Sequence, residues 1–193
     1  MKIIISEKGK LEIEKLKFNV EKSIHNILRH IPKADLHGIS HIVVTDLPAN
    51  KQDLRNKVMA AYFDKHNNQS AFIEIYFSNH FGHVKSAASF AQMLPIQEIG
   101  LAKTIYHEVG HHIRITRSHG INQQKDENFA ERYAEEIMAN YVIDNAEDIN
   151  SCFDYLENIA TDQSLSIDIL NNMRAGWERT YKRAMARSNK TLQ

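Results

Sequence analysis

Between Leu101 and Ile113 the chain reads LAKTIYHEVGHHI, and no other stretch limits the fold as tightly. On a helical wheel at about 100° per residue with Ile105 as origin, Leu101, Ile105, Val109 and Ile113 fall within about 60° of one direction. His107 and His111 fall at about 200° and 240°, and Glu108 at about 300°. Such a helix has an apolar stripe to bury and a face of chemical groups on its other side. It must pack into a core while overlooking a cleft. Gly110 sits in mid-helix, where glycine costs about 1 kcal/mol relative to alanine. That is expected where another backbone comes close. His112 lies beside Glu108 on the wheel and reads as a surface residue, with tuning of that carboxylate as the alternative.

Two histidines four residues apart stand one helical turn apart on one face and can grip one ion. Neutral imidazole suits zinc, and a catalytic zinc needs a third protein ligand and one open position. Glu108 is rotated off the histidine direction, so it flanks the ion as a general base rather than binding it. The acidic segment DENFAERYAEEIMANYV supplies the third ligand. With Phe129 as origin, Phe129, Ala130, Tyr133, Ala134, Ile137 and Tyr141 form the buried face, and Glu127 stands at its edge, at about 160°. Glu127 is therefore the expected ligand. Glu131, one turn later, is expected to accept the outer N–H of a ligand histidine. Asp126 is expected to cap the helix through its carboxylate. Glu135 and Glu136 read as solvated. Ala130 and Ala134 are small enough for this helix to approach the histidine helix closely. Tyr106, Tyr133, His119 and His83 are candidate donors to an oxyanion, and the residues favour none of them.

His107-Glu108-Val109-Gly110-His111 followed by Glu127-Asn128-Phe129-Ala130-Glu131 resembles the gluzincin metallopeptidase pattern, HExxH and then a glutamate on a second helix. The stretch ENFAERYAEEIM is similar to the matching segment of the ImmA/IrrE-like family. The resemblance spans roughly residues 100–142. It implies a zinc ion, a glutamate base and hydrolysis of peptide bonds in a peptide or protein substrate. It also implies a zincin-like α+β fold, mostly helical with a small sheet, in which the HExxH helix packs on the glutamate-bearing helix. In that family a strand before the HExxH helix walls the cleft and pairs with extended substrate. Ala71–Phe77 is the candidate, with an ordinary sheet strand as the equal alternative.

The rest of the chain sets bounds. Its 193 residues are expected to form one domain, with 144–193 either part of it or a C-terminal helical appendage. Cys152 is the sole cysteine, so no intramolecular disulfide forms. Lys plus Arg equals Asp plus Glu at 24 each, which gives no sign of a nucleic-acid partner. No signal peptide or membrane span is read, so a cytoplasmic protein is expected. No residue pattern bears on oligomeric state.

Strands are expected at Ile39–Thr45 and Ala71–Phe77, and a strand or loose arm before Phe18. Helices are expected from Asn19 to Pro32, over Lys51–His66, Ile96–Ile115, Asp126–Ile143, Ile149–Ala160 and Ser166–Arg187. Two rival functions follow from the same residues. One is a zinc-binding domain without hydrolysis, its fourth position closed by Asp126 or His119. The other is an interaction or nucleic-acid module built on Arg174, Arg179, Lys182, Arg183, Arg187 and Lys190 around Trp177 and Tyr181, against a plain solvated helix packing Trp177.

Overall fold

A computed structural model describes residues 1–46, 57–67, 69–82, 84, 87–117, 123–163 and 167–191. The fold is mixed α+β, with a four-stranded sheet and more helix than strand. Strand β1 (Lys2–Ile5) leads through Ser6 into helix α1 (Glu7–Leu16). The Ser6 hydroxyl accepts the Gly9 N–H, so the N-terminal arm is a strand and a capped helix. Helix α2 (Val20–Leu28) starts as expected, with the Asn19 side chain accepting the Lys22 N–H at 3.0 Å.

Strands β2 (Ile39–Thr45), β3 (Ala60–Phe63) and β4 (Ala71–Tyr76) complete the sheet, in the order β1-β2-β4-β3. The first three in that order are parallel and β3 is antiparallel to β4. Ile42, Val44, Ile73 and Ile75 are buried against the helices, while the alternate residues His41, Val43, Phe72 and Glu74 are half-exposed. This is the period-two signature of a sheet with one deeply buried face.

The helix expected over Lys51–His66 is not formed in its described part. Residues 60–63 are strand instead. Val58, Met59 and Tyr62 match a helical spacing, but Tyr62 and Phe63 are strand formers with a ready partner in β4. Pairing between distant segments overrides a local period. Residues 47–56 of that expectation lie outside the described residues.

Short helix α3 (Phe77–Phe81) follows β4, and helix α4 (Ala87–Arg117) starts before Pro95, whereas the sequence predicts a start after it, at Ile96. Cys152 donates its thiol to the Gln92 carbonyl near this proline, satisfying backbone in the disturbed turn. Helices α5 (Gln123–Asp144), α6 (Ala146–Gln163) and α7 (Ile167–Thr191) close the fold. Ile149, Phe153, Trp177 and Ala184 belong to the same core cluster as the sheet residues. Trp177 is buried and donates to Asn150, and Arg174 pairs with Asp154 and Glu157. Among the described residues no helix is long and apolar enough to cross a membrane.

Candidate metal centre

The apolar stripe of α4 fixes its rotation. Leu101, Ile105, Tyr106 and Val109 are fully buried, and burying each Leu, Ile or Val side chain contributes about 2 kcal/mol. The Tyr106 hydroxyl donates to the Ile27 carbonyl at 3.1 Å, tying this face to α2. Gly110 does what its mid-helix position implied. A Cβ there would lie 2.6 Å from the Ala130 Cα, so α4 and α5 touch backbone to backbone at this point. Ala130 and Ala134 are fully buried at the crossing. The contact carries the start of α5 over the face that holds the histidines.

His107, His111 and Glu127 converge there, the one such trio among the described residues, and each offers a ligand atom within 4.8 Å of the others. The two Nε2 atoms are 3.0 Å apart, and Glu127 oxygens lie 3.4 Å from His107 Nε2 and 3.8 Å from His111 Nε2. Ligands held about 2.0–2.2 Å from a tetrahedral zinc sit roughly 3.3–3.6 Å from one another. The three observed separations bracket that range.

The outer ring nitrogens give a second test. His111 donates from Nδ1 to Asp126 at 2.9 Å, and His107 Nδ1 lies 3.5 Å from Glu131. A carboxylate only accepts, so with the proton of each ring on Nδ1 both Nε2 atoms present lone pairs to each other, the tautomer in which the two rings can share one ion. Two lone pairs facing each other at 3.0 Å repel unless a cation lies between them. Burial, and then the neighbouring His111, hold the His107 pKa below its ordinary value, which favours this neutral form. Lys103 bonds Glu131 at 2.7 Å and holds that carboxylate ionised, below its usual range. The donor set fits zinc.

Glu108 is 8% exposed and does not join the trio. Burial pushes its pKa up to about 7, and the nearby His111 and a hydrogen bond from the Tyr62 backbone N–H pull against that rise. The geometry of β3 explains this bond. Tyr76 N–H donates to the Met59 carbonyl, so in an antiparallel pair residues 59, 61 and 63 turn their backbone groups toward β4. Those of Ala60 and Tyr62 point away from β4, to the outer edge of the sheet among the described residues, above α4. The cleft between that edge and the two helices has a volume of about 560 Å³, and His107, Glu108, His111 and Glu127 open into it.

Several expectations are corrected here. Asp126 does not cap α5, because the helix begins three residues earlier, at Gln123. Its carboxylate instead backs His111, a role the sequence assigned only to Glu131. Asp126 also lines the cleft, and His119, the other residue named for the fourth position, lies outside the described residues. His112 is not on the surface. It is 3% exposed, bonded through Nε2 to the His37 carbonyl and through Nδ1 to the Tyr62 hydroxyl, both at 2.9 Å. Strand β4 is paired on both sides, so it has no free backbone for a peptide, and β3 is the edge beside the cleft. Of the candidate oxyanion donors, Tyr106 and Tyr133 are committed to Ile27 and Asp35, and His83 and His119 are outside the described residues. Tyr62 was missed as a site residue altogether; its aromatic, strand-forming neighbour Phe63 was the available signal. No family model, curated protein or solved structure matches the chain.

Proposed function

We propose that this chain is a zinc metallopeptidase of the gluzincin type, holding its ion on His107, His111 and Glu127. The observation that carries the reading is the facing pair of Nε2 atoms, backed on the outside by two carboxylates and open on the inside to a cleft. When bound, zinc supplies Lewis-acid polarisation of a carbonyl and acidification of a water. Glu108 accepts the proton of the attacking water and returns it to the departing amine. Its raised pKa suits a base working near neutrality, and a cation beside it draws that value down again. The Tyr62 N–H holds the carboxylate, which lines the cleft.

The peptide bond as substrate is supported by the edge of β3. Ala60 and Tyr62 direct backbone groups out over the metal face, where an extended peptide can add as a further strand. A glutamate-bearing α5 against the HExxH helix, under a small sheet, agrees with a zincin-like arrangement. The test is Glu108→Gln assayed on fluorescein-labelled casein. The variant keeps one zinc per chain and loses hydrolysis, by about 10²-fold or more for a missing general base. Full hydrolysis by a zinc-loaded Glu108→Gln protein removes Glu108 from the mechanism.

A further inference from the structure

His112 follows a metal-ligating histidine, yet both of its nitrogens face away from the ion. The His37 carbonyl can only accept, so Nε2 carries a ring proton, and Nδ1 faces the Tyr62 hydroxyl. The Tyr62 hydroxyl lies 2.9 Å from that Nδ1 and 3.0 Å from Asp64 Oδ1. It has one proton to give. The hydroxyl donates to Asp64, whose Oδ1 also accepts the Lys65 N–H at 2.7 Å. The hydroxyl therefore sits between the exposed Asp64 and the buried His112 ring and ties β3 to α4.

The loop before β2 is shaped around the same ring. Gly38 has φ +101°, and a Cβ there would stand 3.2 Å from the His112 Cε1. Asp35 in that loop is clamped by Arg117 from α4 at 2.6 Å and by Tyr133 from α5 at 3.0 Å. Segments from three parts of the chain thus fix a histidine that binds no ion.

We propose that Tyr62 and His112 are positioning residues for Glu108. Their hydrogen bond sets the register of β3 against α4, and the register puts the Tyr62 N–H on the Glu108 carboxylate. A slip of β3 by two residues keeps the same side chains on the same face, so burial alone does not forbid it. The slip does break the Tyr62–His112 bond. It also presents the N–H of residue 60 or residue 64 where Tyr62 now stands. The inference rests on the reading of Glu108 as the general base, but its geometry is testable without catalysis.

The experiment is residue-by-residue amide exchange on ¹⁵N-labelled, zinc-loaded protein. An edge-strand N–H turned away from its neighbour exchanges quickly unless something accepts it. In the wild type the Tyr62 amide is protected, and Glu108→Ala removes that protection. Tyr62→Phe, which keeps the ring and deletes only the hydroxyl, lowers it by about tenfold or more while the Ile73 and Ile75 amides stay as they were. His112→Leu has the same local effect, and Tyr62→Phe carries the test if that variant does not fold. An unprotected Tyr62 amide in the wild type, or unchanged protection in Tyr62→Phe, overturns the proposal. Zinc content measured on the same samples separates this outcome from failure of the metal reading, because the exchange result stands whether or not zinc is retained.

Discussion

The two walls of the cleft are built differently. The floor is α4 crossing α5, and its functional groups are spaced by helical periodicity within two short segments. The roof is β3, and it is held by residues far away in the chain. Tyr62 meets His112 across 50 positions, and His112 meets His37 across 75. Asn79 holds the roof's near end through the Val58 carbonyl, and His80 through that of Met59. In the function proposed above, the floor carries the ligands and the roof aims the base. A local pattern can encode the first, whereas the second exists only once the sheet has formed.

Breaking the floor alone is the sharpest way to separate the two. Gly110→Val places methyl groups where the Ala130 backbone lies, and overpacking there costs roughly 3 kcal/mol despite valine's better helix propensity. Denaturant titration should show that loss, with zinc affinity falling as Glu127 is pushed from the histidines. Unchanged stability would mean that α5 has room to move.

The roof responds to acid instead. His80 is buried with its pKa lowered to about 4 from an ordinary 6.5, chiefly by desolvation. Between those values the unfolded chain binds a proton that the folded chain refuses, so stability falls as pH falls from 6.5 toward 4 and levels off below. The loss is roughly 3.5 kcal/mol at most, at about 1.4 kcal/mol per unit. His80→Leu should flatten this part of the stability curve relative to the wild type. Parallel curves for the two proteins would show that His80 is not held neutral.

The smallest effects grade the two outer carboxylates of the floor. Asp126 sits 2.9 Å from His111 and is mostly buried, while Glu131 is 3.5 Å from His107, more exposed, and shared with Lys103. Loss of such a partner weakens metal binding by about 10–100-fold. Asp126→Asn should lie at the upper end of that range and Glu131→Gln at the lower, by competition with a zinc chelator. The reverse order would return the main supporting role to Glu131.

These contrasts explain what the sequence revealed. His107, Glu108 and His111 are legible in five residues, and the wheel of the second helix separates Glu127 from its acidic neighbours. The Gly110 cost pointed to a close backbone, and Ala130 is that backbone. Asp126 was misread because the helix starts earlier than its best capping residue suggests, which turns a terminal side chain into one on the inner face. His112 was misread for its polarity: the wheel puts it at about 340°, between Leu101 and Ile105 on the buried stripe, where the Asp35–Gly38 loop supplies its partner. Strand β3 was misread because Val58 and Tyr62 fit a helix until β4 is placed alongside.

Zinc content of protein purified without chelators, for the wild type and for His107→Ala, tests the metal centre most directly. The account predicts one zinc per chain in the wild type and none retained by His107→Ala after dialysis, with the fold still present by circular dichroism. One zinc bound with wild-type affinity in the His107→Ala protein would contradict it.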